Sequence, residues 1–497
     1  MNVVILEHPR VRSQAHFNDI ANTPLWSCLL AGYAAACIRK AGHEATIFDA
    51  PRLGWSFERT RNEILDAMPD LLCIHAVYFW EHTAALFDFI AALRRDGFNG
   101  HLNLFGFFPT LAYPAILDSN PNVDSIAVGE CEWTLMKLAK CLAAGRDWRM
   151  VAGLARHRSD GTSALVQRLP EPEPDRFPFP LRPVIDGQTV SVLASRGCYN
   201  HCRFCPIPAF YNDGPLWRGR SPDNVAEEIA ALMARGAEDF YFVDPNFIGP
   251  GARGKERTRR LLALLEPMAL TFGMETRAND LDDELLERLL SAGLQSLLIG
   301  IESGSRRILE NLDKHDQISS SEAAIRACRK RGIEPEIGFL MFVPDATLED
   351  LGENFAYLRR NHLLGRLDRT ANLLCHRQII FMGTSGYRRF REEGRIAGAG
   401  PLGFQVDVSW RDDRARWMAD VVGHACLHVL AETGRPSSPI FWRRHPDWRR
   451  CSAINDFLVD LFASLAADLK AVKSIPPAVE TKSAVQKELR KIIEAIE

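Results

Sequence analysis

The residues of this chain best suited to chemistry are three thiols within eight positions, Cys198, Cys202 and Cys205. They lie in the stretch Ser195-Arg196-Gly197-Cys198-Tyr199-Asn200-His201-Cys202-Arg203-Phe204-Cys205-Pro206. Three residues and then two separate them, so the thiolates can converge on one small volume, each taking one iron of a cubane cluster while a fourth iron lacks a protein ligand. An iron with an open position can bind a substrate or cofactor. Zinc is the alternative, with His201 completing a Cys3His site, but structural zinc favours C-x2-C pairs in two halves and a closed shell. The later cysteines nearest this loop are Cys328 and Cys375, and they do not form a second pair.

Elements long enough to position such a loop are available. The 497 residues imply two to four domains, and 46% hydrophobic with 25% charged residues is the balance of a soluble globular protein. A formal charge of −3 gives no whole-protein attraction to nucleic acid or anionic lipid, so nucleic acid is not expected as a partner. The apolar start, Met1 to Leu6, runs at once into Glu7-His8-Pro9-Arg10, too short for a signal peptide or a membrane span. No apolar run approaches a membrane span elsewhere, and a cytoplasmic location follows as the expectation. Cys28, Cys37, Cys73, Cys131, Cys141, Cys426 and Cys451 read as small buried hydrophobes rather than a disulfide framework.

From residue 1 to about 145, short apolar runs alternate with helical periodicity, which predicts strands at 2–6, 44–48, 70–76, 101–105 and 123–128. Helices are expected at 25–41, 59–67, 82–95, 111–118 and 131–144. Such alternation implies a Rossmann-like, doubly wound parallel sheet that binds ligands at its strand C-termini. The candidate loops are His75 to Trp80, Gly106 to Thr110 and Val128 to Glu130. Residues 146–188 read as a linker, with a polar turn at Arg156 to Gly161 and then Pro170, Pro172, Pro174, Pro178, Pro180 and Pro183.

A second alternation over 189–395 predicts a partial (β/α)6 TIM-like barrel, whose strands begin near 189, 240, 270, 295, 334 and 371. The cysteine loop follows the first strand, at the catalytic end. Residues 396–497 turn helical, at 410–431, 451–473 and 482–496, as an extension that packs on the barrel or as a substrate lid. The basic cluster Arg443-Arg444-His445 with Arg449-Arg450 reads as solvated surface.

Several of these stretches resemble a known family. Gly42-His43-Glu44 ahead of a strand ending in Asp49, the Gly-x-x-Pro-Thr loop and Val-Gly-Glu-x-Glu-x-Thr over 128–134 look like the cobalamin-binding domain of many radical S-adenosylmethionine (SAM) enzymes. Further on, Arg220 to Ile229, Glu275-Thr276-Arg277, Gly300 to Ser305, the strand with Gly338 and Met382-Gly383-Thr384 follow the cysteine loop in order. That series resembles the radical SAM superfamily, in its subgroup with an N-terminal cobalamin domain, over about residues 1–395.

The resemblance implies that Cys198, Cys202 and Cys205 hold a [4Fe-4S] cluster whose fourth iron chelates SAM. Phe204 would contact the adenine, and Asp244, Glu275, Arg277, Glu302 and Ser303 would bind the rest of SAM. Gly106, Pro109, Thr110, Gly129 and Glu130 would bind cobalamin. Phe107 and Phe108 depart from the family pattern of two glycines and a histidine before Pro-Thr, placing bulkier residues near the expected nucleotide-tail groove, and no Asp-x-His-x-x-Gly motif offers a ligand to cobalt. The implied activity is C-methylation of a small natural-product, lipid or tetrapyrrole intermediate, with an electron donor such as flavodoxin or ferredoxin. A cyclase or ring-rearranging enzyme with the same cofactors is the alternative, and a zinc-stabilised cobalamin-binding or interaction protein is the alternative from another class.

Overall fold

The computed structural model describes all residues except 11–28, 79–81, 159, 186–188, 214–216, 443–450, 472–473 and 497. Cys28, the start of the expected 25–41 helix, Phe79-Trp80 of the first candidate loop and the basic cluster at 443–450 lie outside the described residues. Contacts divide the chain into two compact units. The first holds the chain up to Leu297 together with Ile380–Asp407, and the second holds Leu298–Ile379 and Val408–Glu497. That division cuts across the expected boundaries at 189 and 395.

The first unit opens with β1 (Asn2–Glu7), β2 (Glu44–Asp49), β3 (Leu71–His75), β4 (His101–Phe105) and β5 (Ser125–Ala127), parallel and in the order β2-β1-β3-β4-β5. β1 and β3 are nearly continuous apolar runs because helices cover both faces, so each strand is buried on both sides. The order reverses between β1 and β3, the switch point beyond which such sheets bind ligands. All five expected strands form within one or two residues.

The expected linker contributes to this sheet. β6 (Leu154–His157) and β7 (Ser163–Leu165) form a hairpin that adds antiparallel to β5, and only the proline-rich remainder connects onward. Ala155 and Leu154 are apolar and buried against the sheet edge, which overrides the polar turn between the two strands.

The next part of this unit carries β8 (Val190–Val192), β9 (Ser195–Arg196), β10 (Arg218–Gly219), β11 (Asp239–Phe242) and β12 (Thr271–Arg277). β8, β11 and β12 are parallel neighbours. The helix Pro222–Met233 starts where Ser221 accepts a hydrogen bond from the Asn224 N–H and Pro222 takes the first turn, so no backbone donor is wasted. β13 (Leu294–Glu302) runs from the first unit into the second, where its end pairs in parallel with β14 (Glu336–Phe339).

A sixth barrel strand near 371–380 does not form. Leu367–Cys375 is a helix, with Leu367, Ala371, Leu373 and Leu374 buried, and a lone parallel bridge between Phe342 and Arg377 follows it. A short apolar run suits a buried helix as well as a strand, and here packing on the helix Asp413–Gly434 decides. Residues 380–408 also contain β15 (Ile380–Phe381), β16 (Ile396–Ala399) and β17 (Gln405–Val408), a small sheet absent from the expectation. In the second unit, Asp413–Gly434, Ser452–Ala471 and Ala478–Glu494 are the three expected terminal helices, and they pack on one another. Among the described residues, no helix is long and apolar enough to cross a membrane.

Candidate functional site

The cysteine loop leaves the sheet after β8 and is clamped at both ends. β9, just before Cys198, pairs antiparallel with β10, and the Arg220 N–H donates to the Ala194 carbonyl at 2.9 Å. Gly197 takes φ 78°, a left-handed conformation that turns the chain sharply into the thiols. Cys202 and Cys205 share a tight turn, with the Cys205 N–H donating to the Cys202 carbonyl at 3.0 Å. The amide of Asn200 donates to the Cys202 sulfur at 3.1 Å, a bond that favours the thiolate. None of the three is in a disulfide, and Cys198 and Cys205 are half-buried. Among the described residues, no three His, Cys, Asp or Glu side chains converge closely enough to hold a single metal ion, whereas a cubane asks for one thiolate per iron.

Strand-end residues buttress this loop. The Tyr199 hydroxyl donates to the Asp280 carboxylate at 2.7 Å, and the Asn246 amide donates to the same carboxylate at 2.8 Å. The Arg277 guanidinium lies 5.1 Å from the centre of the Tyr199 ring, which brings one expected SAM residue to the loop. Phe204 is half-buried. Asp244 is fully buried and is spent on the chain ahead of the cysteines, accepting from the Ala194 N–H at 3.0 Å and from the Ser195 hydroxyl. Burial lifts its carboxyl to about 6 despite those two bonds.

A cavity with about 700 Å³ of empty space opens beside the loop. Gly106, Phe107 and Gly129 line it from the Rossmann-like sheet, and Ile207, Phe210 and Glu275 line it from the barrel. Phe107 stacks on Phe210 with ring centres 4.1 Å apart, and these rings pack with Ile207 and Tyr211 against Cys198 and Cys205. Phe108 turns the other way, into a buried aromatic cluster with Tyr78, Phe381 and Phe404. The two bulky residues therefore do different things, one walling the cavity and one filling core.

Of the residues expected to bind cobalamin, Gly106 and Gly129 line the cavity, while Pro109 and Thr110 are buried in the helix after β4. Gly106 has φ 117°, and a Cβ there would sit 2.7 Å from the His75 ring, so only glycine fits. The Thr110 hydroxyl accepts from the Gly129 N–H at 2.9 Å, tying the two loops together. Glu130 also lines the cavity, but its carboxylate is enclosed by Arg196 at 3.3 Å, Arg218 at 2.9 Å and the Glu171 N–H at 2.7 Å. Burial would raise that carboxyl, yet the two guanidiniums hold it below the usual carboxylate range. Arg196 bonds Glu132 as well, at 2.6 Å, so the residue two before Cys198 anchors the cysteine loop to the Rossmann-like domain.

Sequence reasoning missed these arginines, although a charged residue directly before the cysteine run and two glutamates at 130 and 132 were visible signals. It also missed Lys314. In the second unit Glu302 sits at φ 68° where β13 bulges, and its carboxylate accepts from Lys314 at 3.1 Å, with both side chains buried. Ser303 donates to Asn354 at 2.7 Å.

Comparison with known proteins identifies a domain and a fold. Residues 192–358 match the model of the radical SAM superfamily. An uncharacterized methyltransferase of Pyrococcus horikoshii is 25% identical over 342 residues, covering 66% of this chain and 72% of that one. The anaerobic magnesium-protoporphyrin IX monomethyl ester cyclase of Rubrivivax gelatinosus is 26% identical over 385 residues, covering 72% of this chain and 65% of that one. Among solved structures, the cobalamin-dependent SAM radical enzyme OxsB with aqua-cobalamin and SAM bound superposes with a TM-score of 0.76 at 16% identity, covering 100% of this chain and 80% of that one.

The chain therefore carries a radical SAM domain over residues 192–358. Its fold is similar to that of OxsB, with a Rossmann-like sheet ahead of the radical SAM domain. A radical SAM domain implies a [4Fe-4S] cluster and SAM, and the donor set fits. Three thiols free of disulfides stand on a clamped loop, and one already accepts a hydrogen bond as a thiolate ligand would.

Proposed function

We propose that this enzyme is a cobalamin-dependent C-methyltransferase acting on a small molecule. One observation carries the reading. The cavity is walled on one side by strand-end loops of the Rossmann-like sheet and on the other by the residues after the cysteine loop, so both cofactor-bearing parts open on one space. The fit for cobalamin rests on the apolar rings of Phe107, Phe210 and Tyr211, suited to a flat macrocycle, and on the bare glycines at 106 and 129 that let it approach the backbone.

Bound there, the cluster supplies the electron that cleaves SAM, and cobalamin supplies a transferable methyl group. The chain's own residues do the rest. Cys198, Cys202 and Cys205 hold the cluster, Asn200 steadies the Cys202 thiolate, and Arg277, Glu302, Ser303 and Phe204 serve SAM. Asp244 fixes the approach to the loop. The Phe107–Phe210 stack keeps one wall of the cavity apolar, which favours the exclusion of water that a radical needs to survive. A small electron-transfer protein such as flavodoxin or ferredoxin, and a cytoplasmic location, belong to the same reading.

Anaerobic incubation with methyl-labelled SAM, reductant and cobalamin tests it. Methyl transfer yields S-adenosylhomocysteine together with 5′-deoxyadenosine. 5′-Deoxyadenosine with no S-adenosylhomocysteine would instead place the enzyme with the cyclases, to one of which the chain is also similar.

A further inference from the structure

We propose that Glu275 binds a neutral carboxamide at the edge of the corrin ring rather than SAM, an inference that rests on cobalamin occupying the cavity. The family resemblance assigns Glu275 to SAM, but its place in the fold says otherwise. Glu275 sits near the end of β12 and lines the same cavity as Gly106, Phe107 and Gly129, the loops of the Rossmann-like sheet. Arg277, two residues on, turns instead to Tyr199 of the cysteine loop. A strand alternates its side chains, yet these two lie on the same side of the pleat, so their divergence comes from where each side chain reaches.

The surroundings of Glu275 select a neutral ligand. Its one side-chain hydrogen bond is with the Tyr241 hydroxyl, at 3.3 Å, and among the described residues no Lys, Arg or His pairs with it. The charged groups around it are Asp244, at the end of β11, and, across the cavity, Glu130, Glu132 and Arg196, which are already paired with one another and with Arg218. Burial, with Asp244 adding to it and the Tyr241 bond opposing it, brings the Glu275 carboxyl to about 7. A protonated carboxyl carries one donor and one acceptor, which is the complement of a primary amide. Corrin rings carry such amides around their edge, on the side of the cavity that Gly106, Phe107 and Gly129 line, whereas the amino and carboxylate groups of SAM are charged and call for charged partners; SAM's neutral ribose and adenine are separated from the amide by the SAM-binding arm of the test. An ionised Glu275 loses its donor, so affinity for the amide falls as pH rises through 7.

Methylcobalamin is the probe, because its alkyl ligand leaves no ionisable water on cobalt's upper face. Its binding to the anaerobically reconstituted full chain is followed in the dark by equilibrium dialysis and visible absorption at pH 6 and pH 8, beside SAM binding under the same conditions. Wild type is expected to bind methylcobalamin about tenfold more tightly at pH 6, the scale of one hydrogen bond lost in a buried site. Glu275→Gln, neutral and still both donor and acceptor, removes the pH dependence and keeps the pH 6 affinity. Glu275→Leu weakens binding at both pH values, and SAM affinity stays the same in all three proteins. If either variant instead loses SAM affinity while methylcobalamin binding keeps its pH profile, Glu275 serves SAM and the inference is overturned. If wild type takes up no methylcobalamin at either pH, the cobalamin reading itself falls, an outcome distinct from the first.

Discussion

The two walls of the cavity carry the same side chain in opposite states. On the Rossmann-like wall, Glu130 is ringed by Arg196, Arg218 and the Glu171 N–H and is held ionised. On the barrel wall, Glu275 has a tyrosine hydroxyl, no paired cation among the described residues, and a carboxyl raised to about 7. Both are carboxylates near strand ends, Glu130 buried and Glu275 half-buried where it lines the cavity. Their difference shows that burial alone does not decide charge; partners do. A carboxylate with its cations is a fastener, and one without them is left to address whatever enters the cavity.

Breaking the barrel wall at its cluster produces the largest effect. On the proposed reading Cys202→Ala removes one of the three cluster ligands, so iron content and SAM cleavage are expected to fall to background. Methylcobalamin binding survives, because the Rossmann-like wall is untouched. Loss of both together would mean the two walls are not separable.

Breaking the fastener comes next. Glu130→Ala leaves Arg218 without its carboxylate in the interior, while Arg196 keeps Glu132, and removing one partner of a buried pair costs about 3–5 kcal/mol. Chemical denaturation should show that loss at neutral pH. It should shrink as pH falls through the folded-state value of Glu130, because a depressed carboxyl stabilises only while it is ionised.

Glu275 has the opposite sign. Its folded value of about 7 lies above the ordinary glutamate value of 4.5, so between those two pH values the folded state binds more protons than the unfolded state. Stability falls across that window and stays reduced above it. Glu275→Gln removes the penalty, raising the melting temperature at pH 8 and leaving it unchanged at pH 4. A difference that does not vary with pH would contradict the assignment. The smallest effect is expected from Phe107→Leu, which keeps the apolar wall but loses the stack on Phe210, worth about 0.5–1.5 kcal/mol.

The comparison also marks what the sequence could reveal. The cysteine loop was legible because its chemistry lies in a local spacing, and the parallel strands were legible because burial on both faces leaves continuous apolar runs. The Glu130 fastener was not, since its arginines lie 66 and 88 residues away and meet it only in the folded chain. The strand expected at 371–380 overlaps the helix Leu367–Cys375 because a short apolar run carries no length signal to separate helix from strand. Phe107 and Phe108 are adjacent and chemically alike, and only the helix that begins at Phe107 sends one to the cavity and the other to the core.

The most direct test of the account is the metal content of the full chain, reconstituted anaerobically with iron, sulfide and methylcobalamin and then freed of unbound cofactor. The account predicts about four irons for each chain, as one cubane requires, together with one cobalt retained per chain. A colourless protein holding one zinc, or an iron-loaded protein that retains no cobalt, would contradict it.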